Sequence, residues 1–268
     1  MAIVKPAATW MSPRIPVSQS DTGLSSTMLL RHPDLPVASL DGPSRELRLL
    51  VDHRDDLVAE RTRCVNRLRW HLHELDAAWD PPKRSLTRYR NLAAVATRLA
   101  AHQGTVARIA SEIVDDVRRL TVRERALARE INTLARRLAP TLLALPGVGP
   151  LSAAKIVAET ADVRRFRSKD AFARHNGTAP QPAWSGNHER HRLSRSGNRQ
   201  INAAIHRVAV TQLRVNDDAK AYLERRAAMH NTKTEALRAL KRRLSDVIYR
   251  ALLADTTPLE QTHLSAAA

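Results

Sequence analysis

Cations surround three hydroxyls in the second half of this chain. Asn176-Gly177-Thr178-Ala179-Pro180 is followed by Trp184-Ser185-Gly186-Asn187, then by His188, Arg190, His191, Arg192, Ser194, Arg195, Ser196, Gly197, Asn198 and Arg199. Gly and Asn at both ends predict a structured loop, not a helix face. Arginines grip phosphate through paired N–H donors, and fixed cations stabilise the charge that builds when a phosphodiester is attacked. A serine there is a candidate nucleophile toward phosphorus, although basic loops are more commonly simple phosphate clamps. His188 and His191 have no carboxylate or Cys cluster beside them, which disfavours a metal site.

A second motif is Leu142-Leu143-Ala144-Leu145-Pro146-Gly147-Val148-Gly149-Pro150, running on to Lys155 and Ile156. It has the form of a helix-hairpin-helix turn. Gly147 and Gly149 permit positive φ and close approach of a phosphate to the backbone. Amides of the following helix's first turn would serve as anion donors, and Lys155 as a point charge. Such a site reads backbone, not base sequence. The plainer reading is a tight turn between packed helices. A third motif, Thr232 to Leu244, is an amphipathic helix with Lys241 and Arg242 on a basic face. It is either another nucleic-acid contact or a solvated face.

These motifs need helices to position them, and the composition supplies helix formers. Ala, Leu and Arg dominate, while there are 8 Gly among 268 residues and 3% aromatic residues. That balance argues against a barrel or sandwich and for an all-α fold. From Ser44, a possible N-cap after Asp41-Gly42-Pro43, an apolar stripe runs through Leu47, Leu50, Val51, Leu57, Val58, Cys64, Val65, Leu68, Leu72 and Leu75. Arg54 and Arg61 interrupt it, and Asp80-Pro81-Pro82 ends it. A shorter helix is predicted over Leu86–Ala101. A second striped helix runs from Thr105 to Leu138. The two stripes fit either an antiparallel pair within the chain or a dimerising coiled coil.

The organisation expected is therefore an irregular, disordered N-terminal arm over 1–40, rich in Pro and Ser. A coiled-coil segment over 41–139 follows. A small helical domain over 140–255 carries the helix-hairpin-helix-like turn, and a disordered polar tail covers 256–268. A single cysteine, Cys64, excludes an intrachain disulfide and fits apolar packing. No apolar run reaches membrane-span length and no signal peptide is evident, so a cytoplasmic location without membrane contact is expected. The 44 Lys and Arg against 27 Asp and Glu leave a formal charge of +17, which points to a polyanionic partner.

In this order, the motifs resemble the C-terminal half of transposases of the insertion-sequence-110 family, which are guided by a structured bridge RNA. The resemblance rests on Leu145 to Pro150, Asn176 to Pro180, Ser185-Gly186-Asn187, His191 to Arg199 and Glu235 to Asp246. It extends more weakly to Leu35-Pro36-Val37 and Arg45 to Arg54, covering roughly Leu29 onward. It implies a RuvC-like domain whose Asp, Glu, Asp and Asp residues hold Mg2+, then a coiled coil, then a helical transposase domain. The serine of the last domain attacks DNA and becomes linked to it; it maps onto Ser185, with Ser194 and Ser196 as fallbacks. Nucleic-acid contacts are expected from Gly147, Gly149, Lys155, Asn187, Arg190, Arg192, Arg195, Asn198, Arg199, Lys241 and Arg242.

One departure stands out. Before Leu40 only Asp21 and Asp34 occur, and the first glutamate is Glu46. The sequence is thus expected to be a transposase lacking its nuclease domain, with no metal or cofactor held by this chain. The expected partners are DNA, a structured guide RNA, and a second copy or a full-length transposase through the coiled coil. The alternatives are a non-enzymatic nucleic-acid-binding and oligomerisation module, able to act as a dominant-negative partner, or a helix-hairpin-helix repair protein. Binding to nucleic acid is expected to weaken steeply as salt rises. An affinity titration across ionic strength checks this, and a flat response would assign the +17 to solubility.

Overall fold

The computed structural model describes residues 42–185, 188–192 and 196–266, with side chains described for all of these except 183–192 and 257–266. The arm expected over 1–40 lies outside the described residues. The fold is all-α with one small hairpin inserted. Its elements are α1 (Pro43–Leu75), α2 (Tyr89–Leu99), α3 (Thr105–Leu138), α4 (Pro140–Leu143), α5 (Pro150–Thr160), a 3-10 turn (Val163–Arg165), α6 (Lys169–His175), β1 (Gln181–Ser185), β2 (His188–Arg192), α7 (Arg199–Val215), α8 (Asp217–Ala228) and α9 (Lys233–Ala266).

The two stripes meet each other within the chain. Leu47 and Val51 at the start of α1 share a core with Leu134 and Leu138 at the end of α3. Leu68 and Leu72 at the end of α1 pack instead with Ile113 and Val114 near the start of α3. The pair is therefore antiparallel, and within the chain each stripe is buried against the other. Cys64 lies in this seam, buried as a small apolar residue. At the far end, Trp79 stacks on His102 and lies 4.0 Å beneath the Arg98 guanidinium, closing the tip around α2.

The interruption at Arg54 and Arg61 has an answer on α3. Glu124 bonds Arg54 on one side and accepts from Arg61 at 3.3 Å on the other. A carboxylate between two arginines one heptad apart fixes the register, since sliding α3 by one turn would strand three charges against apolar surface.

Four boundaries differ from the sequence reading. The cap of α1 is Gly42 with Pro43 in the first turn, while Ser44 reaches across to the Ala161 carbonyl. The helix stops at Leu75, because the Asp76 carboxylate takes the Ala78 amide and starts a turn. Pro140 does not separate two cores: the ends of α1 and α3 pack into the same cluster as Ile156, Phe172, Ile201, Ile205 and Ile248. The last helix continues to Ala266, where a disordered tail was expected from residue 256. Leu, Glu, Gln and Ala favour helix there, and Pro258 removes only one donor from the ladder. Asp255 ties α9 to α4 by accepting the Thr141 and Leu142 amides at 2.8 and 3.0 Å. Among the described residues no helix is long and apolar enough to cross a membrane.

Replacing Glu124 with Ala should destabilise the fold by roughly 3 kcal/mol, since two half-buried guanidiniums would lose their partner. The triple change of Arg54, Arg61 and Glu124 to Leu should recover most of that loss. Urea unfolding of the three proteins measures both, and a wild-type midpoint for the single variant would refute the register argument.

Candidate nucleic-acid interface

The basic segment between α6 and α7, expected to be a structured loop, is a β-hairpin. Its strands pair antiparallel with Gln181 opposite Arg192, Ala183 opposite Arg190 and Ser185 opposite His188. Ser185 is thus the last paired position of β1 before the tip. By the two-residue period of strands, positions Ser185, His188, Arg190 and Arg192 belong to one face of the ribbon. Gly186, Asn187, Ser194 and Arg195 lie outside the described residues, and side chains in the ribbon are described only as far as Pro182.

The root of the ribbon is a crossing of two chain segments. Gly177 follows α6 with φ +69°, and Gly197 precedes α7 with φ +93°. A Cβ on Gly197 would lie 2.6 Å from the His175 carbonyl and 2.8 Å from the Gly177 amide, and one on Gly177 would lie 2.8 Å from the Ser196 carbonyl. No residue larger than glycine fits either position, and both backbone conformations are ones L side chains avoid. The Asn198 amide completes the crossing by donating to the His175 carbonyl at 2.6 Å.

Polar side chains hold this crossing from beneath. Asn176 is fully buried. Its amide donates to the Ser245 hydroxyl at 2.8 Å, and its Oδ1 accepts from the Thr178 amide and hydroxyl. Its carbonyl accepts from Asn202 Nδ2, and Asn202 Oδ1 accepts from Lys241 Nζ at 2.7 Å. Asn198 caps α7 through the Gln200 and Ile201 amides and donates to Glu159 at 2.6 Å. Buried amides and carboxylates are tolerated only when partnered in this way.

Several residues expected to touch nucleic acid are thereby turned inward. Lys155 is buried and paired with Asp52 and Asp55, at 3.3 and 2.9 Å, joining α5 to α1. Lys241 is buried; desolvation first, then the Arg199 charge, lowers its pKa. Arg242 bridges Asp246 and Asp170. Asn198 is occupied as a cap. Gly147 has φ +78°, but its smallness serves protein packing: a Cβ there would lie 3.0 Å from Gln212 Cγ and 3.2 Å from the Val208 carbonyl. Gln212 also donates to the Pro146 carbonyl at 2.7 Å. Gly149 has φ −90° and caps α5 with open space around it. The turn is therefore docked on α7 through Gly147, and Lys155 faces α1, away from the role assigned to it. Arg199 is exposed at the start of α7, and Ser196 is exposed in the crossing itself.

Sequence reasoning missed Glu159, Asn202 and Ser245, polar positions on otherwise apolar helix faces. It also missed Arg165, discussed below. Among the described residues no group of three or more His, Cys, Asp or Glu side chains could hold a metal ion. The described residues thus hold no cluster of ligands for the Mg2+ that the resemblance implies.

Comparison with known proteins places this geometry in context. Residues 139–224, from α4 through the ribbon into α8, match the family described as Transposase IS116/IS110/IS902 family. The chain is 29% identical to an insertion element IS110 uncharacterized 43.6 kDa protein of Streptomyces coelicolor, over 81% of this chain and 65% of that protein. It is 28% identical to an insertion element IS116 uncharacterized 44.8 kDa protein of Streptomyces clavuligerus, over 84% of this chain and 70% of the relative. A probable family 20 transposase of Pseudomonas aeruginosa is 30% identical over 51% of this chain and 41% of its own length. The chain thus spans about two thirds of the length of the first relatives.

Gly197→Ala should destabilise the protein by about 2–4 kcal/mol, combining strain at positive φ with a backbone clash. Gly149→Ala, at an ordinary φ in open space, should cost no more than about 1 kcal/mol. Thermal melts of both variants compare the two, and equal losses would contradict the crossing described above.

Proposed function

We propose that this chain is the DNA-binding and strand-transfer part of an insertion-sequence transposase, with Ser185 as the attacking nucleophile. The observation that carries the reading is the register of the ribbon. Ser185 occupies the tip position opposite His188, and Arg190 and Arg192 follow at alternate positions of the same face. The match of residues 139–224 to a transposase family supports it.

In this reading the Ser185 hydroxyl loses its proton and its oxygen bonds to phosphorus. The bond from phosphorus to the neighbouring deoxyribose oxygen breaks, and that oxygen leaves as a hydroxyl. Arginines beside the phosphate stabilise the negative charge of the transition state. Arg190, Arg192, Arg195 and Arg199 supply that charge, with Ser194 and Ser196 as fallback nucleophiles. Asn187 contributes a contact to the bound strand. A structured guide RNA is the second polyanion this surface would accept. Assembly with another copy or a full-length transposase through the long helices α1 and α3 belongs to the same reading.

A non-enzymatic nucleic-acid-binding module shares the same basic ribbon and differs in one outcome. Ser185→Ala should leave DNA and RNA affinity within about twofold while abolishing the covalent protein–DNA adduct and strand transfer. The assay uses the full chain with cognate DNA and RNA, with and without an intact family transposase. Combined replacement of Arg190 and Arg192 with Gln should weaken binding at least tenfold, as two phosphate contacts are lost. Binding without any adduct under all conditions would leave the module reading in place of the enzyme.

A further inference from the structure

The 3-10 turn before α6 carries Val163-Arg164-Arg165-Phe166-Arg167-Ser168-Lys169, a run of cations that no motif above includes. Within it Arg165 is held in an unusual way. Its guanidinium lies 4.6 Å above the Phe166 ring and donates to His175 Nε2 at 3.3 Å. The Phe166 and His175 rings are themselves 4.9 Å apart. A guanidinium has no acceptor, so His175 must receive this bond as a neutral imidazole protonated on Nδ1. Burial first, then the Arg165 charge, lowers the His175 pKa against an opposing effect of Glu159, and so favours that neutral form.

Arg165 is exposed, yet its orientation is fixed by these two rings. Aromatic stacking leaves the edge of the guanidinium available for a planar, two-pronged acceptor. Among the described residues no ion pair with a carboxylate is seen for Arg165. The acid near it, Asp162, is engaged by Arg164 at 3.1 Å. The location matters as much. His175, which holds the guanidinium, is the residue whose carbonyl receives the Asn198 amide in the crossing. Arg174 and Arg199, both exposed, flank the same crossing.

We propose that Arg165 is a phosphodiester contact: stacked on Phe166 and bonded to His175 at the root of the ribbon, it takes a backbone phosphate of the nucleic acid that the ribbon holds. This rests on the nucleic-acid reading of the ribbon and extends its footprint onto the 3-10 turn and α6. The ligand chemistry is the sugar–phosphate backbone, common to DNA and RNA, so single-stranded DNA, duplex DNA and RNA are separate arms of the test.

Full-length wild-type chain and Arg165→Gln are titrated against labelled oligonucleotides of each kind at several salt concentrations. The variant should bind about three- to tenfold more weakly at 0.1 M salt. Its log–log salt slope should be shallower by about 0.7 to 0.9, the value of one lost phosphate contact. An unchanged slope, or weaker binding with an unchanged slope, overturns the proposal, the latter by assigning Arg165 a structural role. Failure of the wild-type chain to bind any oligonucleotide would instead defeat the ribbon reading on which the proposal rests. A second measurement needs no variant: bound oligonucleotide should slow phenylglyoxal modification of Arg165 in the wild-type chain, read by mass spectrometry. Modification at the same rate with and without oligonucleotide overturns the proposal.

Discussion

Two backbone segments cross at Gly177 and Gly197 at a separation that leaves no room for a methyl group. That crossing sets where the ribbon leaves the helical core. Backbone that close excludes water, so each amide and carbonyl nearby must find a protein partner. The chain meets that demand with side chains from four helices. Glu159 comes from α5, Asn198 and Asn202 from α7, and Lys241 and Ser245 from α9, with Asn176 at the end of α6 in their midst. A fully partnered polar network rigidifies what it surrounds. The ribbon is accordingly mounted on the ends of α6 and α7, and α9 braces it from beneath.

The cations divide by whether the fold uses them. Lys155 joins α5 to α1, Lys241 supports Asn202, Arg242 ties α9 to α6, and Arg54 and Arg61 enclose Glu124. None of these is offered to a ligand, although all count toward the +17. Net charge therefore identifies a class of partner and says little about where it binds. Arg165, Arg174 and Arg199 are different, being exposed around the crossing. Each member of the first set is held by a carboxylate or amide oxygen on another helix, which the position of one helix against another determines.

This explains what could be read from the sequence and what could not. The long stripes were legible because apolar residues at helical spacing have few other uses, but their spacing fits an antiparallel pair and a dimerising coiled coil equally well. The Asn176-Gly177 and Gly197-Asn198 pairs were legible as turn chemistry, but their contact with each other is made across twenty residues and leaves no local trace. The ribbon read as a loop because its strand positions are polar and charged, without the apolar alternation that marks a half-buried strand. Gly147 shows the opposite failure. A small residue in a Pro-Gly-Val-Gly turn suits a phosphate or a neighbouring helix equally well, and Gln212, which decides between them, lies 65 residues later. Lys155 and Lys241 failed in the same manner, since their partners are set by packing and not by spacing.

The α1/α3 helix pair and the region carrying the ribbon are continuous parts of one packed body. α1 begins and α3 ends inside the core that includes Phe172, Ile201 and Ile248, and both then extend into the second core around α2. The Glu124 layer sits between these two cores, where an apolar contact would have allowed the helices to slide. Lys155 adds a second tie close by, reaching from α5 to two aspartates one turn apart on α1. A chain divided at Pro140 would expose Leu47, Val51, Leu134 and Leu138 together, a patch that a monomer rarely leaves open to water. The register of α1 against α3 is therefore part of what fixes α5, and through Glu159 and Asn198 it bears on the root of the ribbon itself.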